Sequence, residues 1–74
     1  MATTVAYTEN FVVNVRRAMV KKGWSQRELA RRAQLHWQTV GRILSGGMTP
    51  TTDTAEKIAD ALNLGPEKIF RKPS

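Results

Sequence analysis

Three residues near the middle of the chain, Trp37, Gln38 and Arg42, have the types and the spacing to bind a ligand. The residues around them predict a helix from about Trp37 to Leu44. We expect the three side chains to lie on the outer side of that helix, away from its apolar positions Val40, Ile43 and Leu44. An indole, an amide and a guanidinium on one face can make apolar contacts and directed hydrogen bonds together. This face is therefore the candidate binding surface, provided that other elements hold it outward.

The chain offers little for catalysis or for metal binding. It has no cysteine, which excludes disulfides and thiolate metal sites. His36 is the only histidine, and no carboxylates cluster near it in the sequence to complete a metal site. No nucleophile, paired carboxylates or phosphate-binding loop is arranged for chemistry. We therefore expect no enzymatic activity, no metal and no cofactor.

Positive charge is concentrated in one part of the chain. The net charge is +6, with twelve Lys and Arg against six Asp and Glu. Residues 16–42 hold eight basic residues and one acidic residue, a net of +7, whereas residues 43–74 hold four of each. Such a balance favours a polyanionic partner, either nucleic acid or an anionic membrane surface. The alternative is a solvated surface that keeps a small protein soluble.

Size and hydropathy limit the function further. Seventy-four residues make one small domain with a modest core, which leaves no room for a buried catalytic pocket or an effector domain. The apolar runs are far shorter than the ~20 residues that span a membrane, and the N-terminus lacks the pattern of a secretory signal. We expect a cytoplasmic protein without a membrane segment or a small-molecule effector.

The apolar pattern predicts five helices and no strand. The first begins at Thr8, a suitable N-cap, and ends at Lys22 before Gly23. The second begins at Ser25, because Ser25 and Glu28 form an S-x-x-E capping box. The inward positions of these two helices are Phe11, Val12, Val15, Ala18, Met19, Leu29, Ala30 and Ala33.

The later helices are bounded by equally local signals. A tight turn over residues 34–36, with Leu35 buried, leads into the third helix, which His36 can cap and residues 45–47 end. The fourth helix begins near residues 51–53 and buries Ala55, Ile58, Ala59 and Leu62. Proline at N1 predicts a short last helix over residues 66–70, anchored by Ile69 and Phe70.

Three segments follow from this pattern. Residues 1–7 are expected to form a flexible N-terminal tail, residues 8–70 the folded domain and residues 71–74 a basic C-terminal tail. Trp24 stands between a helix end and the next N-cap, so we expect it to pack on the core rather than to contact a ligand.

The second and third helices together carry a resemblance to a known family. The segment SQRELARRAQLHWQTVGRIL joins two short helices at a sharp angle, and small Ala30 lets the second helix approach the third. The outer face of the third helix then projects, and a major groove about 12 Å wide accepts one α-helix. The segment resembles the helix-turn-helix of phage Cro and repressor N-terminal domains, the Xre-like family. The likeness reaches from the first helix to Phe70 and includes TAEKIADALNL followed by PEKIF.

The resemblance implies a fold and a role for individual positions. It implies an all-α, compact five-helix lambda-repressor-like DNA-binding domain. Trp37, Gln38 and Arg42 match positions that face base edges, where Gln pairs with adenine, Arg with guanine, and an indole covers a thymine methyl. For Trp37, the alternative is burial against the second helix. The family commonly has glycine where this chain has Gln34, a left-handed position that costs about 1 kcal/mol for another residue.

Other positions are expected to contact the DNA backbone. Gln26 matches the family glutamine that binds a phosphate and braces the recognition helix, or it is an ordinary exposed residue at a helix start. Gly41 permits close approach, either of DNA or of a neighbouring helix. The loop after the third helix is expected to offer backbone N–H groups and hydroxyls. The candidate backbone contacts are Gln26, Arg27, Arg16, Thr39, Ser45, Gly46, Gly47 and Thr49.

These expectations combine into one functional hypothesis. The protein is expected to be a sequence-specific, double-stranded-DNA-binding transcriptional regulator, Cro-like or repressor-like, that occupies a near-palindromic operator as a weak homodimer stabilised on DNA. The neutral C-terminal half is left for self-contact, through Met48, Leu64, Ile69 and Phe70. Two alternatives stay open: the DNA-binding antitoxin of a toxin–antitoxin pair, and an adaptor of the same fold that binds another regulator.

Overall fold

Five α-helices make up the part of the protein that the structure describes. A computed structural model describes the backbone of residues 3–72, together with the side chains of residues 8–65 and 67–72. No strand occurs in the described backbone, so the all-α class is confirmed. The helices are α1 (Thr3–Lys22), α2 (Gln26–Ala33), α3 (Trp37–Leu44), α4 (Thr52–Ala61) and α5 (Pro66–Ile69).

The start of α1 differs from the sequence-based prediction. The helix begins at Thr3, so Thr8 lies inside it and is not its N-cap. The segment from Thr3 to Thr8 has no glycine or proline, and a helix extends readily through such a segment once its first turn exists. Of the predicted tails, Met1 and Ala2 lie outside the described residues, as do Pro73 and Ser74; the flexibility of both tails stays a prediction.

The core forms where the five helices meet. Helix α2 packs against both α3 and α4, while α1 packs against α5 and α3. The predicted inward residues of α1 to α4 are buried or pack against the buried cluster, and Leu35 is half-buried beside it. The fully buried side chains of greatest volume are Phe11, Leu29, Ile43, Ile58, Leu62, Ile69, Val15 and Val40.

Local hydrogen bonds cap α2 and α3 and close the turn between them. The Ser25 hydroxyl accepts a hydrogen bond from the Glu28 N–H at 3.1 Å, and Nδ1 of His36 accepts one from the Gln38 N–H at 3.2 Å. Between the two helices, Gln34 is left-handed with φ 58°. The Leu35 N–H donates to the Ala30 carbonyl at 2.9 Å, which closes the turn. Gln34 thus makes the left-handed turn at a position where the family commonly has glycine.

Asn14 ties α5 to α1. Its amide nitrogen lies 2.8 Å from the carbonyl oxygen of Ile69 and 2.7 Å from that of Arg71. The rings of Phe11 and Phe70 pack beside this contact, with centroids 5.2 Å apart. The short α5 is therefore held by side chains of α1. Among residues 3–72, no helix is long and apolar enough to cross a membrane.

Candidate nucleic-acid interface

The outer face of α3 is exposed to solvent. Val40, Ile43 and Leu44 are buried in the core and fix the rotation of the helix. Gln38 and Arg42 are exposed, and Trp37 keeps 43% of its surface accessible. Burial of Trp37 against α2 is therefore the wrong alternative. All three predicted base-facing residues lie on the projecting side of α3.

The Trp37 ring nevertheless contacts one cationic and one aromatic side chain. The guanidinium carbon of Arg27, on α2, lies 5.1 Å from the centroid of the indole ring. The His36 ring is stacked at 5.9 Å with an interplanar angle of 24°. Cation–π contact at an exposed site is worth about 0.5–1 kcal/mol, enough to favour one orientation of a side chain. Neither contact was predictable from the sequence pattern.

Gln26 braces α3 from the first turn of α2. Its Nε2 lies 3.3 Å from the carbonyl oxygen of Trp37, which it can reach as a hydrogen-bond donor. A Cβ atom at Gly41 would lie only 2.7 Å from the same Nε2. Gly41 was expected to permit close approach of either DNA or a neighbouring helix, and the structure shows the helix. Because Gly41 has no side chain, the Gln26 amide of α2 has space beside it.

Two of the arginines on α2 are engaged within the domain. Arg31 Nη2 and Arg32 Nε both contact Oε2 of Glu28 at 2.5 Å. Hydrogen bonds from Arg31, and next from Arg32, hold the pKa of the Glu28 carboxyl below its ordinary value, so this acid stays ionised at neutral pH. The Arg32 guanidinium carbon also lies 4.4 Å from the centroid of the Trp24 ring. Trp24 is half-buried and packs against the core, as expected.

Only half of the predicted capping box forms. The Ser25 hydroxyl caps α2 as expected, but the Glu28 carboxylate binds the two arginines. Two guanidinium groups one helical turn away attract a carboxylate more strongly than one neutral N–H does. The start of α2 is therefore predicted correctly, whereas the role of its acid is not.

Arg16 connects α1 to the C-terminal end of α3. Its Nη2 donates a hydrogen bond to the carbonyl oxygen of Leu44 at 2.8 Å. That carbonyl belongs to the C-terminal end of α3, where a positive charge is favourable. Arg16 was expected to contact phosphate; its phosphate contact is untested, and the structure shows that it also anchors α3.

The loop after α3 does not present the free N–H groups that we expected. The N–H groups of Ser45, Gly46 and Gly47 donate to carbonyls of Gly41, Ile43 and Arg42, respectively. The Ser45 hydroxyl also donates to the Arg42 carbonyl at 3.0 Å. These donors satisfy the end of α3, as the last carbonyls of a helix require. The expectation that these three N–H groups are free is therefore wrong, whereas phosphate contact by the loop stays a prediction.

The other predicted contact residues keep accessible surface. Thr39 is half-buried and Thr49 is exposed, with its hydroxyl 3.5 Å from that of Thr8. Of the residues assigned to the dimer contact, Met48, Leu64 and Phe70 are half-buried. Ile69 is only 1% exposed and belongs to the core. Its assignment to a surface contact is wrong, because the residue that anchors α5 faces α1 and α4.

The comparison with known families agrees with this geometry. The family described as Helix-turn-helix matches residues 15–69, from the second half of α1 to the end of α5. The chain therefore belongs to the helix-turn-helix family, whose members bind double-stranded DNA and regulate transcription. No curated protein and no solved structure matched the chain in the corresponding comparisons.

Proposed function

We propose that this protein is a sequence-specific transcriptional regulator that inserts α3 into the major groove of duplex DNA and acts by occupying an operator. The observation that supports it best is the face of α3, where Trp37, Gln38 and Arg42 project from a helix whose other side is locked into the core. An amide and a guanidinium at these positions suit the edges of adenine and guanine, respectively. Direct contact between these side chains and base edges is part of the proposal.

Charge supplies the affinity in this proposal. Residues 16–42 carry a net charge of +7, from eight basic residues and one acid. Arg31 and Arg32 share that one acid, Glu28. Arg27 and Arg16 border α3 at its start and at its end. They are the cations best placed to contact phosphates on either side of the groove.

The proposed regulator works as a dimer. Cytoplasmic location, a near-palindromic operator and a weak self-contact belong to this proposal, as does a Cro-like or repressor-like mode of action. Met48, Leu64 and Phe70 supply the apolar surface for that contact now that Ile69 is excluded. So little apolar surface predicts a largely monomeric free protein that pairs on its operator.

The first test measures binding to DNA as a function of salt. A pool of random duplexes selected by the protein provides its preferred site. The logarithm of the affinity for that site should fall linearly with the logarithm of salt concentration, by roughly 0.9 per phosphate contacted. An affinity that does not change with salt contradicts DNA binding. Copurification of a small protein partner would favour an antitoxin instead, and lack of DNA affinity at low salt would favour an adaptor.

A second measurement separates base reading from backbone contact. Arg42→Ala should lower affinity for the selected site by about 1–3 kcal/mol and relax the preference at one base pair. Arg16→Ala removes a proposed contact to the DNA backbone and should lower the affinity for selected and unselected duplexes alike. If the selected pool of Arg42→Ala keeps the base preference of the wild type, α3 does not read bases through Arg42.

A further inference from the structure

Trp37 sits within a small cluster that holds its ring in place. The Arg27 guanidinium carbon is 5.1 Å from the ring centroid, and the His36 ring is stacked at 5.9 Å. All three side chains are exposed, and 43% of Trp37 remains accessible. We call Arg27, His36 and Trp37 the indole platform. Its place in the fold is the first turn of α3, the end of a recognition helix that approaches base edges.

The chemistry of an indole restricts what the platform can bind. Its Nε1–H is a donor, it has no acceptor, and most of its surface is carbon. The major-groove edges of the bases present polar donors and acceptors, apart from one apolar group, the C5-methyl of thymine. A methyl group placed against the indole loses contact with water at no cost in unsatisfied hydrogen bonds.

We propose that the indole platform binds the C5-methyl group of a pyrimidine in the major groove, and that Arg27 is the positioning residue that holds the indole for it. The proposal rests on the proposed function, because α3 must first enter the groove. Thymine carries this methyl group, and so does 5-methylcytosine at the same ring position. The platform therefore makes binding sensitive to cytosine methylation at one position of each half-site.

Arg27 can act as a positioning residue because α2 and α3 are rigidly joined. Gln26, its neighbour on α2, contacts the carbonyl oxygen of Trp37, and the Leu35 N–H donates to the Ala30 carbonyl in the turn between the helices. The Arg27 stem therefore starts from a fixed point relative to the Trp37 backbone. An exposed indole without such a neighbour samples several rotamers, and restricting them before binding lowers the entropic cost of the contact.

The experiment uses the full chain and its selected duplex. Each thymine of one half-site is replaced in turn by deoxyuridine, which lacks only the methyl group. At one position, the wild type should lose affinity about fourfold, the value expected for one buried methyl group. Trp37→Ala should bind the thymine and deoxyuridine duplexes equally at that position. Loss of the contacts with Arg27 and His36 should lower its urea midpoint, so both duplexes are titrated where circular dichroism shows the variant folded, and the ratio of the two affinities is compared.

Arg27→Ala tests the positioning role, and Arg31→Ala is its matched control. Both remove one arginine from α2, but Arg31 contacts Glu28 rather than the indole. Arg27→Ala should reduce the deoxyuridine effect to less than twofold, whereas Arg31→Ala should keep it at about fourfold. Equal deoxyuridine effects in the two variants would contradict the role of Arg27, because a phosphate contact alone leaves methyl recognition unchanged.

Modified cytosine distinguishes the two sources of the methyl group. At the same position, a duplex with 5-methylcytosine should bind about fourfold more tightly than one with cytosine, and Trp37→Ala should abolish this gain. No gain in the wild type overturns methylation sensitivity. If no thymine shows a deoxyuridine effect that depends on Trp37, the platform is not a methyl site. If one of these negative results is found while DNA binding still depends on salt, only this inference fails. If salt-dependent DNA binding is itself absent, the proposed function fails as well.

Discussion

At the scale of single residues, Gly41 is the position where local preference and tertiary contact disagree. Glycine inside a helix costs about 1 kcal/mol relative to alanine. In α3 it leaves space for the Gln26 amide, whose Nε2 would lie 2.7 Å from an added Cβ. Because that nitrogen ends a flexible side chain, the amide can swing away without disturbing the core. The glycine therefore matters for where Gln26 points more than for whether α3 forms.

Gly41→Ala is predicted to separate stability from DNA binding. The free energy of unfolding in urea should rise by up to about 1 kcal/mol, because alanine favours the helix. Affinity for selected and unselected duplexes should fall together, because a displaced Gln26 no longer reaches the phosphate that the resemblance assigns to it. Fluorescence anisotropy with labelled duplexes measures the second effect.

Gln26→Ala provides the control for this prediction. If the effect of Gly41→Ala passes through Gln26, adding it to Gln26→Ala should cost no further affinity. A larger loss in the double variant would mean that the new methyl group meets DNA directly. Wild-type affinity in Gly41→Ala would show that the contact between Gly41 and Gln26 has no role in binding.

The residues of the site differ in how far the sequence predicts them. The exposure of Gln38 and Arg42 follows from helical periodicity, because the buried positions Val40, Ile43 and Leu44 fix the rotation of α3. Trp37 lies only about 20° from Leu44 around the helix, so periodicity alone does not predict its exposure. The contact of Arg27 with Trp37 spans ten positions and two helices. Its geometry depends on the angle between α2 and α3, which no local pattern specifies.

At the scale of elements, hydrogen bonds close to the ends of a helix were predictable and those from distant residues were not. Ser25 and His36 cap helices within three residues of themselves, and the sequence predicts both. Arg16 reaches the end of α3 from 28 residues away, and Asn14 reaches α5 from 55. Such contacts arise only after the helices have packed. They explain how the two short helices α3 and α5 keep their places.

Arg16→Ala is predicted to loosen α3 as well as to remove a charge. Loss of the hydrogen bond to Leu44 should lower the free energy of unfolding by about 1 kcal/mol, measured by urea denaturation. Lys21→Ala removes a cation from the same helix and should change stability by less than about 0.5 kcal/mol. Equal stability of the two variants would mean that the Arg16 contact contributes nothing to the fold.

At the scale of the whole molecule, one copy of the proposed regulator would read too few base pairs to act alone. A single recognition helix of two turns reaches the edges of about four to six base pairs. Each mismatch there costs only about 1–3 kcal/mol, which does not distinguish one operator from the many other sites in a genome. Two copies related by a two-fold axis double the number of base pairs read. Their recognition helices must then enter successive major grooves, about 34 Å apart on one face of the duplex.

The spacing between half-sites therefore tests the dimer. The protein is titrated against its selected inverted repeat and against a duplex with five more base pairs between the half-sites. Five base pairs are about half a helical turn, so the second copy is carried to the opposite side of the DNA. Cooperativity should disappear, while the affinity for each half-site should stay unchanged because every base contact is retained. A duplex with a single half-site gives the affinity of one copy without any contact to a second and provides the control. Equal cooperativity on the original and the five-base-pair duplexes would rule out a contact through Met48, Leu64 and Phe70.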